Sequence, residues 1–356
     1  TAPVLSSLLC CLLAIGARGG AAARRSEGGV EHRPGWLPQS PVQRLLVFGM
    51  VFQPVITSLL NGDTVVYGAR VFPGLGVYDA LSNVLEHLVT LIPLLLGRRY
   101  LSRAEDVELL LRFMVGTMLI YSIPILLEIR ISPQIHYWVY GFRPTDFIQA
   151  VRGGGFRPMV LMNHGLPLAM AMALTIIAAT GLARSAPPLK RTLARAKAGW
   201  LAMVLLLSNS LGALMGAAFA VPFVAFTKRP FQATVAMALG VMVLIYPLSR
   251  AYDIFPADEM ASTIGGVRGG SLQFRFDNED ILLDKALERP VFGWGSWGRN
   301  RVIDSATGQD ISVTDGAWII TIGTGGMVGF LTRFGLLASP LLLLWRLSLT
   351  PQQNAR

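Results

Sequence analysis

Three arginines in the linker 128–158 have the spacing to bind an anion together. They are Arg143, Arg152 and Arg157, and the last two are spaced by three glycines. Guanidinium groups bind phosphate oxygens in a bidentate manner, so this set predicts an anion site. The aromatic run 137–140 beside these arginines is equally typical of a belt that anchors a protein at a membrane surface.

A second group of polar residues lies in the segment 271–316 and combines cations with carboxylates. Its members are Arg275, Arg299, Arg301, Asn278, Glu279, Asp304 and Asp315. A carboxylate beside a reacting hydroxyl can act as a general base. The same segment carries Trp294 and Trp297 among the three glycines of 292–298. Glycines permit close backbone approach and tryptophan faces bind sugars, although such a loop is also a common structural element.

A third group falls within an apolar stretch. Asn83, Glu86 and His87 share one helical face through their i, i+3, i+4 spacing. Ionisable groups inside a membrane helix are costly and are functional candidates by default. A packing network between helices is the alternative interpretation. The adjacent Cys10 and Cys11 offer neither a disulfide framework nor a metal site, and no nucleotide-binding or zinc-protease motif occurs.

The elements that must position these groups are membrane helices. Of the 356 residues, 53% are hydrophobic and 15% charged, whereas a soluble domain carries about 25% charged residues. Several apolar blocks approach the ~20 residues that cross a bilayer as a helix. The sequence therefore predicts an all-α, polytopic transmembrane helical bundle. Its net charge of +10 then reflects basic cytoplasmic loops rather than nucleic-acid binding.

Nine apolar segments are recognisable, and the predicted total for the chain is nine or ten. They are 4–15, 45–60, 78–96, 107–127, 159–182, 200–208, 211–226, 231–248 and 318–345. The linkers 18–44, 97–106, 183–198 and 227–230 hold fifteen basic residues, whereas 61–77 and 128–158 hold five. The positive-inside rule places the first set in the cytoplasm and the second outside. Because the chain starts inside an apolar segment, we expect a fragment with a clipped first span.

The same rule predicts a break in the chain near 208–210. A single helix over 200–226 would leave Lys228 and Arg229 outside, whereas two short helices return them to the cytoplasm. The following span then delivers the hydrophilic segment 249–314 to the external face. The predicted organisation is a bundle over 1–248, an external loop over 249–314 and membrane helices over 315–356, in one integrated domain.

Within the external loop, 278–287 predicts an amphipathic helix. Asp277 is its expected N-cap, and Arg289-Pro290 is expected to end it. Its apolar face is formed by Leu282, Leu283, Ala286 and Leu287.

Three stretches of the chain resemble the O-antigen ligase and polymerase superfamily, in its exopolysaccharide-associated branch. The first is Arg157-Pro158 with Asn163-His164-Gly165, which is similar to an external loop containing Arg-Pro. The second is SNSLGA at 208–213, between two short helices. The third begins at Ser271 and contains RPVFGWG and GGMVG, similar to a large periplasmic loop with an RP-x-FG-x-G core. The likeness covers roughly 150–345.

The resemblance implies a GT-C-like integral membrane glycosyltransferase in the bacterial cytoplasmic membrane, with its active face in the periplasm. Such proteins transfer a glycan from an undecaprenyl-diphosphate-linked donor to a hydroxyl of a glycan or lipid acceptor, without cofactor or metal. The diphosphate-binding role then falls by position on Arg157 and Arg275, followed by Arg299 and Arg152. The polyprenyl tail would lie among membrane lipids in a groove between spans.

The resemblance leaves the general base open. Ligases of this family usually have histidine where this chain has Asp315, so Asp315, Glu279 or His164 would orient or deprotonate the acceptor hydroxyl, and Trp294 and Trp297 would bind the glycan. The strongest alternative is a transporter or lipid flippase that binds an anionic, phosphate-bearing substrate. Transporters more often show discontinuous helices in corresponding halves, and the sequence reveals one break. A structural subunit of an envelope assembly is a third possibility.

Overall fold

The computed structural model describes residues 34–152 and 155–349. The apolar segment 4–15 and its two cysteines lie outside the described residues. The described chain is mostly helical, which confirms the predicted helical class. Two short antiparallel hairpins, which the sequence did not predict, interrupt the helices.

In chain order the elements are α1 Pro41–Leu60, β1 Val65–Tyr67, β2 Arg70–Phe72, α2 Val77–Tyr100, α3 Ala104–Ile131, α4 Ile135–Tyr140, α5 Phe147–Ala150, β3 Val151–Arg152, β4 Gly155–Phe156, α6 Gly165–Ser185, α7 Pro188–Leu207, α8 Leu211–Phe226, α9 Arg229–Ala251, α10 Ala257–Ile264, α11 Gly266–Leu287 and α12 Ala317–Leu349. Strand β1 pairs with β2, and β3 pairs with β4.

Six of the described helices, α1, α2, α3, α6, α9 and α12, are long and apolar enough to cross a membrane. The chain is therefore a multi-pass membrane protein. Eight of the nine predicted apolar segments fall within the described residues, and each corresponds to a described helix. The two outside the set of six are 200–208 and 211–226, which the sequence predicts as short helices. Helix α8 is apolar but shorter, and α7 begins at Pro188, so that its first half carries the basic residues assigned to a linker.

The predicted break between two short helices is confirmed. Helix α7 ends at Leu207 and α8 begins at Leu211, with Asn209 between them in the left-handed conformation at φ 52°. Asparagine tolerates this conformation because its short polar side chain bonds locally. The Ser208 hydroxyl donates to the Leu205 carbonyl at 2.7 Å, which satisfies one carbonyl of the helix end.

The amphipathic helix of the hydrophilic segment is longer than predicted. Helix α11 begins at Gly266 rather than near 278, so Asp277 is not an N-cap. Its carboxylate instead accepts a hydrogen bond from Gln273 one turn earlier, at 2.8 Å. The end at Leu287 is confirmed. On the predicted apolar face Leu282, Leu283 and Ala286 are buried, whereas Leu287 is exposed because it is the last residue of the helix.

The described chain forms two compact units. The discontinuous unit comprises 34–100 and 233–349, and the continuous unit comprises 101–232. In the discontinuous unit α12 packs along α1 and α11, and α1 packs against α2. In the continuous unit α6 lies against α3, α7 and α8. The boundaries predicted at 248 and 314 follow membrane topology rather than contacts, and they stay a prediction.

One buried carboxylate holds together the loop region of the continuous unit. Glu128, near the end of α3, is fully buried. One carboxylate oxygen accepts from the Ile135 backbone N–H at 2.8 Å, and the other accepts from Met159 at 2.9 Å and Val160 at 2.7 Å. The side chain therefore ties both ends of the linker 128–158 to one point.

We expect Glu128→Ala to destabilise the protein by at least about 3 kcal/mol, because each buried N–H left without an acceptor costs about 1–3 kcal/mol. Thermal unfolding in detergent would measure the loss. Glu108→Ala is the matched control, since that carboxylate is half exposed and makes only an i,i+4 pair with Arg112. Equal unfolding midpoints for the two variants would contradict the assigned role of Glu128.

Candidate functional site

A polar cleft of about 300 Å³ opens in the discontinuous unit between α11 and the start of α12. We call it the carboxylate cleft. It is lined by Ser271, Phe274, Arg275, Asn278, Glu279, Val313, Asp315, Gly316 and Ile319. The cleft thus brings together three predicted site residues, Arg275, Glu279 and Asp315, although Asp315 lies 36 positions after Glu279 in the sequence.

Arg275 and Asp315 form an exposed ion pair in this cleft. The Arg275 Nε lies 3.4 Å from Asp315 Oδ2, and the two side chains are 61% and 62% exposed. Exposed ion pairs contribute about 0–1 kcal/mol. The guanidinium is therefore able to exchange this carboxylate for phosphate oxygens at little cost, and the exchange would release Asp315 beside the bound anion.

Glu279 is held in one orientation from both sides. Its Oε2 accepts from the Tyr246 hydroxyl at 2.9 Å, and its Oε1 accepts from the Trp318 indole N–H at 3.0 Å. The carboxylate is 17% exposed. Each carboxylate oxygen can accept two hydrogen bonds, so Glu279 can accept a further hydrogen bond from a hydroxyl group in the cleft.

A buried arginine supports this carboxylate, and sequence reasoning missed it. The Arg250 side chain is 5% exposed, and its Nε lies 3.9 Å from Glu279 Oε2. Its Nη2 donates to the Asp280 carboxylate at 2.5 Å and to the Phe276 carbonyl at 3.2 Å. The i,i+4 spacing of Tyr246 and Arg250 at the end of α9 was the available signal, since it places both on one face of that helix.

The linker 61–77 packs on the segment after α11, which the sequence did not reveal. Arg289 donates to the Asp63 carboxylate with Nη2 at 2.7 Å and Nη1 at 3.2 Å, and to the Asn61 side chain with Nη1 at 2.5 Å. Two linkers predicted to share the external side therefore lie at the same end of the discontinuous unit. Which side of the membrane this end occupies stays a prediction.

Arg299 belongs to this packing contact rather than to the cleft. It is 2% exposed, and its Nη1 donates to the carbonyls of Asp63 at 3.0 Å and Pro73 at 2.9 Å. Burial lowers the pKa of the guanidinium. A diphosphate could reach Arg299 only if these backbone contacts broke, so its geometry favours a structural role over the predicted anion-binding one.

The two tryptophans predicted to bind glycan differ in their environment. Trp294 is 5% exposed, its indole N–H donates to the Lys285 carbonyl at 2.7 Å, and Lys285 Nζ lies 3.7 Å from the ring centroid. This ring is therefore already covered, as the structural alternative for the loop requires. Trp297 is 65% exposed, and its N–H donates to Asp79 at 2.7 Å, which leaves its ring face accessible to a sugar.

The Asp63–Arg289 pair makes the stability of the protein depend on pH in the acid range. The hydrogen bond from Arg289 lowers the pKa of the Asp63 carboxyl below its usual 3.8. Because the pKa of Asp63 is lower in the folded protein than in the unfolded chain, the ionised carboxylate stabilises the fold at pH values above 3.8. This stabilisation is lost as the pH falls from 3.8 through the pKa of the folded state. We expect Asp63→Asn to lose less stability than the wild type between about pH 5 and 2, and the difference to be modest because the carboxylate is 46% exposed. Parallel acid slopes in thermal unfolding would contradict this assignment.

Helix α12 is itself broken, next to the glycine-rich loop. Gly326 has φ 64°, and the peptide groups freed at this kink pair with the segment 290–295. Trp294 N–H donates to Gly323 at 2.8 Å, and Met327 N–H donates to Pro290 at 2.7 Å. Irregular backbone at membrane depth requires such internal partners. The RPVFGWG and GGMVG motifs of the third resembling stretch thus pack against each other.

In the continuous unit, the first two resembling stretches contact each other. Arg157 Nη2 donates to the Ser210 hydroxyl at 2.9 Å. A Cβ on Gly155 would approach Asn209 Nδ2 to 2.7 Å, so the β3–β4 hairpin lies directly on the break between α7 and α8. Arg152 lies in β3, and its side chain is outside the described atoms. His164 caps α6, with Nδ1 accepting from the Leu166 N–H at 3.1 Å.

The predicted Asn83–Glu86–His87 face lines a second cavity, of about 170 Å³, between α1, α2 and α12. Asn83 accepts from the Ser296 hydroxyl at 2.7 Å, and the His87 Nδ1–H donates to the Met50 carbonyl at 2.6 Å. This part of the face is a packing network, as the alternative interpretation held. Glu86 and Arg333 line the same cavity. Arg333 was missed, although a lone charge in an apolar run is a recognised functional signal.

No protein family, curated protein or solved structure matches this chain. Among residues 34–152 and 155–349, no cluster of three or more His, Cys, Asp or Glu side chains could hold a metal ion. The expected independence from metal stays a prediction.

Proposed function

We propose that the protein is an integral membrane glycosyltransferase of the O-antigen ligase or polymerase type. In this proposal it transfers a glycan from an undecaprenyl-diphosphate-linked donor to an acceptor hydroxyl. The observation that supports it is the carboxylate cleft, where an exposed arginine lies beside an exposed and a fixed carboxylate. The cleft lies at the start of an apolar helix that is long enough to span a membrane, which is where the head group of a lipid-linked donor would be presented.

The residues of the cleft suit the charge changes of such a transfer. The acceptor oxygen attacks the anomeric carbon, and the bond from that carbon to the phosphate oxygen breaks. The diphosphate leaves with the electron pair, so negative charge develops where Arg275 can stabilise it. The hydroxyl proton passes to a carboxylate, Asp315 or Glu279, and from there to solvent. The fixed orientation of Glu279 favours it for positioning the acceptor, and Asp315 becomes available when Arg275 exchanges it for phosphate.

Arg157 enters the proposal through the resemblance alone. Its contact with Ser210 shows how an arginine could be oriented by the break between α7 and α8. The diphosphate-binding role of Arg157 is what the resemblance implies, whereas the role of Arg275 is argued from the carboxylate cleft. The periplasmic location and the bacterial inner membrane belong to the same proposal.

The direct test is reconstitution of the purified chain in lipid vesicles with undecaprenyl-diphosphate-linked oligosaccharide and a glycan acceptor. We expect glycosylated acceptor and free undecaprenyl diphosphate in equal amounts, with or without a metal chelator. Vesicles that contain the double variant Asp315→Ala/Glu279→Gln are the inactive control. Movement of the donor across the bilayer without any new glycosidic bond would overturn the proposal.

A second candidate function, a transporter or lipid flippase, is favoured by two observations. The kink at Gly326 adds a second broken helix, in the other unit from the break at 208–210, and discontinuous helices are typical of transporters. The cavity lined by Glu86 and Arg333 lies within apolar helices, where charged groups commonly mark a substrate path. The vesicle experiment separates this candidate from glycan transfer.

A further inference from the structure

The cavity between α1, α2 and α12 lies near the middle of the spanning helices. Met50, which bonds His87, is the tenth residue of the twenty in α1, and so lies about 15 Å from either end of that helix. A Cβ on Gly49 would come within 2.7 Å of the Thr332 side chain. Arg333 therefore lies at nearly the same depth as His87 and Glu86.

Two opposite charges line this cavity without neutralising each other. In the part of the chain that the structure describes, no ion pair or hydrogen bond involves the Glu86 carboxylate or the Arg333 guanidinium. Both side chains are exposed. Separate, unpaired charges at this depth are costly, so a ligand that supplies both complementary charges would relieve the cost at each.

The remaining lining fits a small polar ligand rather than a sugar chain. It includes Gln53, Asn83 and His87, and the described lining contains no tryptophan, tyrosine or phenylalanine to stack on a sugar face. At about 170 Å³ the cavity is smaller than the roughly 300–1,000 Å³ typical of larger ligands.

We propose that this cavity binds a zwitterion of the phosphoethanolamine type, with the phosphate at Arg333 and the ammonium at Glu86. Both charged side chains are exposed near the middle of the spanning helices, and so is Leu337, which lies one turn along α12 from Arg333 and shares its face. A phospholipid could therefore place its ethanolamine head group in the cavity while its acyl chains contact that leucine. This site is separate from the carboxylate cleft and does not depend on glycan transfer.

The test measures the lipid that copurifies with the full chain from vesicles holding equal amounts of phosphatidylethanolamine and phosphatidylglycerol. We expect wild-type protein to retain phosphatidylethanolamine in about tenfold excess, the ratio given by ~1.4 kcal/mol. Glu86→Gln should retain both lipids equally, since only the ammonium contact is lost. Arg333→Gln should lose both. Glu108→Gln and Arg112→Gln, which change an exposed pair on α3, are the controls and should behave as wild type.

A second arm identifies the source of the zwitterion. Soluble phosphoethanolamine that binds the wild type, and not Glu86→Gln or Arg333→Gln, supports the site and assigns it a free ligand instead of a lipid. Unfolding midpoints of both variants are measured to establish that they fold. Folded variants that keep the wild-type lipid ratio, or a wild type that neither prefers phosphatidylethanolamine nor binds the soluble compound, would overturn the proposal and leave the carboxylate cleft unaffected.

Discussion

Arg275→Ala is expected to lower glycan transfer by roughly 100-fold while leaving the amount of folded protein unchanged. Removal of one preorganised group that stabilises developing charge typically costs about 10²–10³ in rate. The side chain is 61% exposed, and its one described ion pair is with Asp315, so its loss should scarcely affect stability. Initial rates with the lipid-linked donor, at matched protein concentration in vesicles, would measure the effect.

Arg301→Ala is the matched control for this variant. Arg301 lies in the same hydrophilic segment, is 44% exposed and pairs with the Asp310 carboxylate rather than with the cleft. We expect its transfer rate to stay within twofold of the wild type. A normal rate for folded Arg275→Ala would remove the diphosphate site from the carboxylate cleft. A normal rate for both Arg275→Ala and Arg157→Ala would move the transporter candidate ahead.

The helices were predictable from the sequence because apolar run length nearly decides them in a membrane protein. The break at 208–210 was predictable for a different reason, since charge placement at Lys228 and Arg229 required it. The length of helix α7 was underestimated because its first half is basic, and a basic segment has the composition of a linker. The start of α11 was missed since Asp277 has the side chain of an N-cap, and side-chain type alone does not show whether a helix has already begun.

The site was predictable only as a set of residue types. Arg275, Glu279 and Asp315 were chosen from the sequence, and the structure brings them into one cleft. Arg299 and Trp294 have the same chemistry as Arg275 and Trp297, yet both are buried. Arg299 is enclosed by carbonyls of the linker 61–77, and Trp294 lies against Lys285 and Arg289, and no local sequence pattern indicates either contact. Burial therefore separates the exposed arginine and tryptophan from the buried ones, and burial depends on tertiary contacts. Tyr246 and Arg250, which support Glu279, were not predicted because they lie on another helix, and their contacts with the cleft are likewise tertiary.

Gly326→Ala is expected to destabilise the protein by at least about 2 kcal/mol. Gly326 has φ 64° and ψ −166°, a combination open essentially to glycine only, and another residue held there costs about 1–3 kcal/mol. The new Cβ would also overlap the Val291 carbonyl, so the segment 290–295 would have to separate from the kink of α12. That segment is bonded to α12 through the Trp294 N–H, and Gly293 packs against the same kink. We therefore expect the indole of Trp294 to become more exposed in the variant. Thermal unfolding and tryptophan emission would measure the two effects.

Gly181→Ala is the control of opposite sign. Gly181 lies inside α6, and a Cβ added there would meet no other atom within 4 Å. Alanine in a helix interior is favoured over glycine by about 0.5–1 kcal/mol. Gly181→Ala should therefore unfold at or above the wild-type temperature, whereas Gly326→Ala should unfold well below it. If both variants unfolded together, the contact between the glycine-rich loop and the kink would not support the fold. The two glycine motifs would then have to be explained by the substrate they approach rather than by the backbone they allow to meet.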